Sequence, residues 1–291
     1  MNVLKDKKAW LVFVTPALLF YLGTVFVPII QSLNYGFQDW NGIKDAKYIG
    51  LGNYIKMFQD PYFWNSVQNN LIYVVIVVLM QVFIGLFFAL LLSYVKKGAG
   101  VFRTLYYLPA VVVTVAIAQM FRNFYSLQPL GLLNMFLEWI GLGHLQNAWL
   151  SDPHTALIAV SIPEGWRFTG MYMVIFYAAL IAIPKEIEEA ATIDGVNGWQ
   201  LIRYIKLPSI KHVLSLALIM CTTGALRGFD IPYIIGVPGS STELVTTYMY
   251  KKAFSTIQYG YGSAIAVFIV LESLLAVLII RSIFNSRKGG A

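Results

Sequence analysis

The chain has 291 residues, of which 58% are hydrophobic, 15% aromatic and only 12% charged, with a mean hydropathy of +0.67. Soluble domains carry about 25% charged residues, so the composition excludes an ordinary soluble globule and points to an integral membrane protein. The net charge of +7 fits that reading through basic residues held on one membrane face, with anionic lipid headgroups as neighbours, and requires no nucleic acid.

Crossing about 30 Å of hydrocarbon takes about 20 apolar residues. Six such stretches follow one another, at approximately residues 11–33, 67–95, 105–124, 155–181, 213–235 and 262–284. Their runs are continuous and lack the alternation of barrel strands, so the expectation is an all-α, polytopic fold of six transmembrane helices in a single domain over residues 1–291. Lys5-Asp6-Lys7-Lys8 precedes the first run. That run exceeds the about 7–15 residues of a signal-peptide core and no small-residue cleavage site follows, so a retained helix is expected.

Between the spans lie segments of two kinds. Residues 34–66, 125–153 and 238–261 are rich in aromatic residues, among them Trp40, Trp64, Trp139 and Trp149. They read either as an interfacial aromatic belt or as a docking face for an external partner. Within them an amphipathic piece is expected at Tyr54 to Phe58, a helical stretch at Leu130 to Ile140, and a turn at Pro238-Gly239-Ser240-Ser241. Placing both termini in the cytoplasm puts thirteen Lys and Arg residues inside and five outside, which satisfies the positive-inside bias. The polar loop of residues 182–212 is then cytoplasmic.

That loop reads as two short helices. Pro184 suits a helical first turn, Glu186, Glu188 and Glu189 sit near the positive end of the dipole, and Gly195 is placed to stop the helix. A second helix, roughly Gly198 to Ile205, follows, with Pro208 starting the return into the membrane. Ala190 and Ala191 have small side chains that would let another surface come close.

Inside the spans an ionisable residue costs at least about 2.5–3.5 kcal/mol and marks a cavity or a partner. Span four carries Glu164-Gly165-Trp166-Arg167 after Pro163, a stretch expected to interrupt the helix, and span five carries Arg227-Gly228-Phe229-Asp230. Glu164 with Arg167, and Arg227 with Asp230, stand at i, i+3; they either neutralise each other or meet substrate hydroxyls and gate the external mouth. Cys221, Gly224, Ala225 and Gly228 recur at i, i+3, i+4, i+7 and lay small residues along one helical face, which either packs closely or leaves a cavity. Thr222, Trp166, Tyr172 and Tyr233 complete the substrate-pathway candidates.

No Gly-x-x-x-x-Gly-Lys-Ser/Thr phosphate loop occurs, so energy from ATP must come from another subunit. One cysteine, Cys221, and three dispersed histidines, His144, His154 and His212, have no metal-ligand spacing. No nucleophile–base constellation of an enzyme is present. An ion- or proton-coupled secondary transporter is the alternative; it needs a carboxylate at the bilayer midplane, and Glu272 is the one good candidate.

Glu189-Ala190-Ala191 with Asp194-Gly195 and Ile205-x-Leu207-Pro208 resembles the EAA loop of binding-protein-dependent ABC importer permeases. Gly50-Leu51-Gly52-Asn53-Tyr54, Asp60-Pro61-Tyr62, Gly131-Leu132-Leu133-Asn134 and Tyr259-Gly260-Tyr261-Gly262 are similar to the carbohydrate branch. The sequence departs from the pattern at Gly236-Val237-Pro238-Gly239, where members often carry Gly-Gly-Pro, and at His212, commonly proline. The resemblance implies a type I importer permease in the bacterial cytoplasmic (inner) membrane, working with a homologous second permease, two ATPase subunits that bind ATP and Mg, and an external solute-binding protein. It assigns ATPase coupling to Glu189, Ala190, Ala191, Asp194, Gly195, Leu207 and Pro208, and favours a cavity along span five. It also implies a carbohydrate substrate, by default a neutral oligosaccharide, although Arg167 and Arg227 are compatible with an acidic sugar.

Overall fold

The computed structural model describes residues 7–43, 45–95, 97–235 and 241–285; Lys5, Asp6, the departure at Gly236–Gly239 and most of the expected Pro238–Ser241 turn lie outside them. Among the described residues the protein is all-α apart from one two-residue antiparallel pairing, β1 (Gln38–Asp39) with β2 (Lys47–Tyr48), in which Gln38 faces Tyr48 and Asp39 faces Lys47. Among the described residues four helices are long and apolar enough to cross a membrane, and up to six when each of two bent helix pairs counts as one span. The chain divides into two compact units.

The first unit comprises residues 1–63 and 248–270. Its helix α1 (Leu11–Tyr35) is a candidate span with none of its apolar window buried; Phe13, for example, is 78% exposed. A surface of that kind is stable only against lipid or another subunit. Beyond it, α2 (Gly52–Gln59) is tied to the end of α1 and to β1, because buried Asn53 donates from its amide to the carbonyls of Gly36 at 3.1 Å and Gln38 at 2.9 Å. Asp60 then caps the next helix, its Oδ1 accepting from the Tyr62 amide at 3.0 Å, with Pro61 at the first helical position where no donor is needed.

The second unit comprises residues 64–247 and 271–291. Helix α3 (Pro61–Ser93) enters it and contains a π-helical segment at Leu79–Ile84. The expected third span at 105–124 is not one straight helix: α4 (Ala99–Val111) and α5 (Thr114–Phe124) meet at 95°. Val112 and Val113 are extended between them, and Arg167 satisfies the break, donating to Thr114 Oγ1 at 2.8 Å and to the Val112 carbonyl at 3.4 Å. Non-helical backbone at membrane depth persists only when protein supplies such partners. After them come α6 (Leu132–Trp139), at the expected helical stretch, and α7 (Ala156–Ile181).

Pro163 does not interrupt α7, contrary to the sequence expectation. A proline deletes one donor, and here neighbours hold the surrounding turns. Gln81 Nε2 donates to the Glu164 carbonyl at 2.9 Å, and the Thr169 hydroxyl donates to the Gly165 carbonyl at 2.7 Å. At Gly170 a Cβ would stand 1.7 Å from the Tyr106 carbonyl oxygen, so α4 lies on α7 at a distance that only glycine permits. The loop helices α8 (Lys185–Ile193) and α9 (residues 198–209) lead to α10 (Lys211–Leu226) and α11 (Asp230–Ile235). The chain then runs through α12 (Val245–Tyr250) to α13 (Tyr259–Asn285). One buried cluster joins α3, α7 and α10 through Tyr73, Val77, Leu86, Met173, Phe176 and Ala217. A second joins α5, α7 and α11 through Ile117, Phe121, Val160 and Ile231.

Candidate functional site

The loop after α7 is built by local rules. Pro184 stands at the N-cap of α8, one residue before the helix, and Glu186 and Glu188 occupy its first turn. Gly195 has φ +78°. Its amide bonds the Thr192 carbonyl at 3.1 Å while the Val196 amide reaches back to the Ala191 carbonyl at 3.0 Å, the paired bonds of a Schellman stop that favours glycine. Asn197 and Gln200 then form a reciprocal capping box, each side chain accepting from the other's backbone amide at 2.9 Å, which starts α9. This second helix runs through Pro208 to Ser209, and the break falls at Ile210 (φ −95°, ψ 10°); Pro208 thus sits within the last turn of the loop and does not itself start the return.

An internal ion pair sets the angle between the loop helices. Lys206, only 3% exposed, places Nζ 3.4 Å from Glu188 Oε1 and 4.4 Å from the centre of the Tyr94 ring. On α8, Ala191 is buried and Ala190 exposed, so of the two small side chains expected to let another surface come close only Ala190 lies at the surface. Glu189, Asp194, Gly195 and Pro208 are exposed, and Leu207 is half-buried. Around them stand three large apolar residues that sequence reasoning passed over: Ile193 (87% exposed), Trp199 (72%) and Tyr204 (71%). Their signal was present, since bulky apolar side chains in a polar loop with no helical partner spacing are unpaired within it. The loop offers a small, mixed acidic and apolar surface on a rigid frame.

Among the membrane candidates, Glu164, Tyr172, Cys221, Gly224 and Ala225 line one cavity of about 190 Å³, together with Gln81, Phe168 and Met171. The small-residue face of α10 divides there. Cys221 and Ala225 are buried, whereas a Cβ on Gly224 would meet nothing within 4 Å. Gly228 packs on the Tyr73 ring, where a Cβ would come within 2.9 Å. Gln81, unmarked in the sequence, is the centre of the wall: its Oε1 accepts from Cys221 Sγ at 3.2 Å while its amide holds the Glu164 carbonyl.

The remaining candidates lie elsewhere. Trp166 borders two other grooves, one with Tyr106 and Pro109 and one with Phe121 and Leu130. Arg167 spends its guanidinium on the α4–α5 break rather than on Glu164. Arg227 and Asp230 are exposed on either side of the α10–α11 break and form no ion pair with each other. Tyr233 stacks on Phe229 at 4.8 Å between ring centres, and Thr222 is half-buried outside the cavity lining.

Apolar spans, a capped helical loop between α7 and α10, and a cavity lined by α3, α7 and α10 agree with the ABC-importer permease that the sequence resembles. Residues 62–289 match the family described as binding-protein-dependent transport system inner membrane component. The chain is 36% identical over 281 residues to a probable ABC transporter permease protein, YurN, of Bacillus subtilis, covering 95% of this chain and 96% of that one. It is 33% identical over 289 residues to the lactose transport system permease protein LacF of Rhizobium radiobacter, covering 97% and 95%. A chain in the crystal structure of a bacterial alginate ABC transporter, in complex with alginate pentasaccharide-bound periplasmic protein, has the same fold, with a TM-score of 0.85 at 22% identity over 100% of this chain and 99% of that one. The chain belongs to the family of binding-protein-dependent transport system inner membrane components, as a transport subunit without an ATPase site of its own.

Proposed function

We propose that this permease forms, with a homologous second permease, the inner-membrane pathway for a sugar or oligosaccharide delivered by an external solute-binding protein. Two copies of a cytoplasmic ATPase subunit bind ATP and Mg and drive alternating access. The exposed Glu189-Ala190 face of α8, stopped by Gly195 and held by the Glu188–Lys206 pair, carries the reading: a rigid projection with unpaired apolar side chains is what transmits a push from a motor to the spans. Asp194, Leu207 and Pro208 belong to the same joint, and Ala191 acts by packing beneath it. Both termini are cytoplasmic, as the basic-residue bias requires.

The sugar assignment draws on relatives such as the lactose permease subunit and the arabinooligosaccharide permease protein AraP of Halalkalibacterium halodurans, 30% identical over 264 residues. The cavity lining supports it, with Glu164 and Tyr172 as polar groups beside the aromatic side chain of Phe168. A neutral oligosaccharide is the default; Arg167 is engaged with backbone and hydroxyl, and Arg227, exposed, is the cation compatible with an acidic sugar. The secondary-transporter alternative is left without support by the family assignment.

The test is copurification of the ATPase subunit together with binding-protein-stimulated ATP hydrolysis. Glu189→Arg and Gly195→Trp should abolish both while the permease stays in the membrane. Normal coupling in these variants would overturn the assignment.

A further inference from the structure

Where α9 returns to the membrane, a groove of about 510 Å³ opens between Arg203, Leu207 and Lys211 on one side and Leu214, Ile283 and Phe284 on the other. Arg203 and Leu207 come from α9, Lys211 and Leu214 from the first turn of α10 across the Ile210 break, and Ile283 and Phe284 from the last turn of α13. Arg203 is exposed and Lys211 half-buried. Among the described residues neither has a carboxylate within 4.0 Å; the cation that the loop does neutralise is Lys206, through Glu188. Both cations are therefore free to meet an outside anion, above a wall that is wholly apolar.

Position narrows the chemistry. Lys211 is the first residue of α10 and Phe284 lies at the end of α13, so the groove sits where two apolar spans leave the hydrocarbon. An acidic protein surface would satisfy Arg203 and Lys211 but would set polar groups against the apolar side chains of Leu214 and Phe284. A lipid supplies both halves at once, a phosphate for the cations and an acyl chain for the wall. The geometry points to a bound anionic phospholipid of the cytoplasmic leaflet, held by Arg203 and Lys211 against the end of the coupling loop. Pro208 lies in the same groove, so the lipid braces the turn at which the loop meets α10. The choice of leaflet rests on the proposed cytoplasmic placement of the loop; the site itself does not.

The test uses the assembled importer in nanodiscs of phosphatidylcholine with graded phosphatidylglycerol. Native mass spectrometry reads the lipid retained after detergent release, and a photoactivatable phosphatidylglycerol maps where it sits. Wild type should retain phosphatidylglycerol over phosphatidylcholine and crosslink to residues 203–214 and 283–284. Arg203→Gln/Lys211→Gln should lower retention about 25-fold, given about fivefold per cation near an anionic surface. Leu214→Trp, which fills the groove and keeps both charges, should lower it too, and Lys97→Gln, another exposed cytoplasmic cation, should not. Thermal stability of each complex is measured alongside, so that an unfolded variant is not scored as lipid loss. Unchanged retention in the double variant, equal retention of the two lipids, or crosslinks from the groove to the ATPase subunit with phosphatidylglycerol excluded would each overturn the assignment. Failure of the ATPase subunit to copurify with wild type would instead sink the coupling reading and leave the lipid result standing.

Discussion

Gly170 and Gly224 are both intramembrane glycines, yet their surroundings assign them opposite roles. A methyl group at Gly170 runs into the Tyr106 backbone, which cannot give way as a side chain can, whereas at Gly224 it enters open space. Gly170→Ala should therefore cost about 1–3 kcal/mol or more through overpacking, seen as a lower melting temperature in detergent. Gly224→Ala should stay within about 0.5 kcal/mol and raise the KM for uptake if the cavity admits substrate. Equal losses of stability in the two variants would contradict the packing described. Arg167 follows the same logic. Its charge suggested a substrate contact, but its two donors hold a hydroxyl and a carbonyl at a broken span, a geometry that a point-charge lysine does not reproduce.

At the scale of elements, the α8–α9 pair depends on one buried cation. Glu188→Gln leaves Lys206 desolvated with only the Tyr94 ring beside it, and should cost about 1.5–3 kcal/mol, the worth of a hydrogen bond to a charged group. Adding Lys206→Met should restore much of that, because a packed apolar isostere replaces an ion pair with little loss. Protease sensitivity of residues 182–212 reads both; no recovery in the double variant would mean that the charge does more than hold the helices.

A second staple lies in the first unit, where the Asp60 carboxylate accepts from the hydroxyls of Tyr248 and Tyr261. Partial burial works to raise the Asp60 carboxyl, but these hydroxyls, the Tyr62 amide and the Lys252 charge together hold it below the usual carboxylate range. A folded value below the unfolded one means that the staple's stability is fully present above pH about 4 and is lost as pH falls through the folded value. Amide exchange of residues 248–261, taken relative to its intrinsic rate at each pH, should stay constant between about pH 5 and 8 and rise only in stronger acid. Asp60→Asn should raise it at every pH; loosening near neutrality in wild type would contradict the assignment.

For the whole molecule the decisive quantity is which loops face which side. Cys221 is the one cysteine of the chain and is buried, so a Cys221→Ser background is a clean host for accessibility labelling. On it, Tyr204→Cys should react with a membrane-impermeant maleimide only after the cells are opened, and Asp45→Cys should react in intact cells. The reverse pattern would invert the topology and remove the basis for coupling at α8.

The sequence by itself determined the number of apolar runs, their approximate limits, the capped loop and its stop at Gly195. These are local properties: hydrocarbon thickness sets the run length, and a left-handed residue after a helix favours glycine. Only the tertiary structure decided that the third run bends by 95°, that Pro163 leaves α7 intact, that Ala191 faces inward and that Gln81 anchors the cavity wall. The bend depends on Arg167, brought from another helix, and the cavity wall on Gln81. A buried polar group takes its role from whichever donor or acceptor the packing places beside it, and no spacing along one segment encodes that.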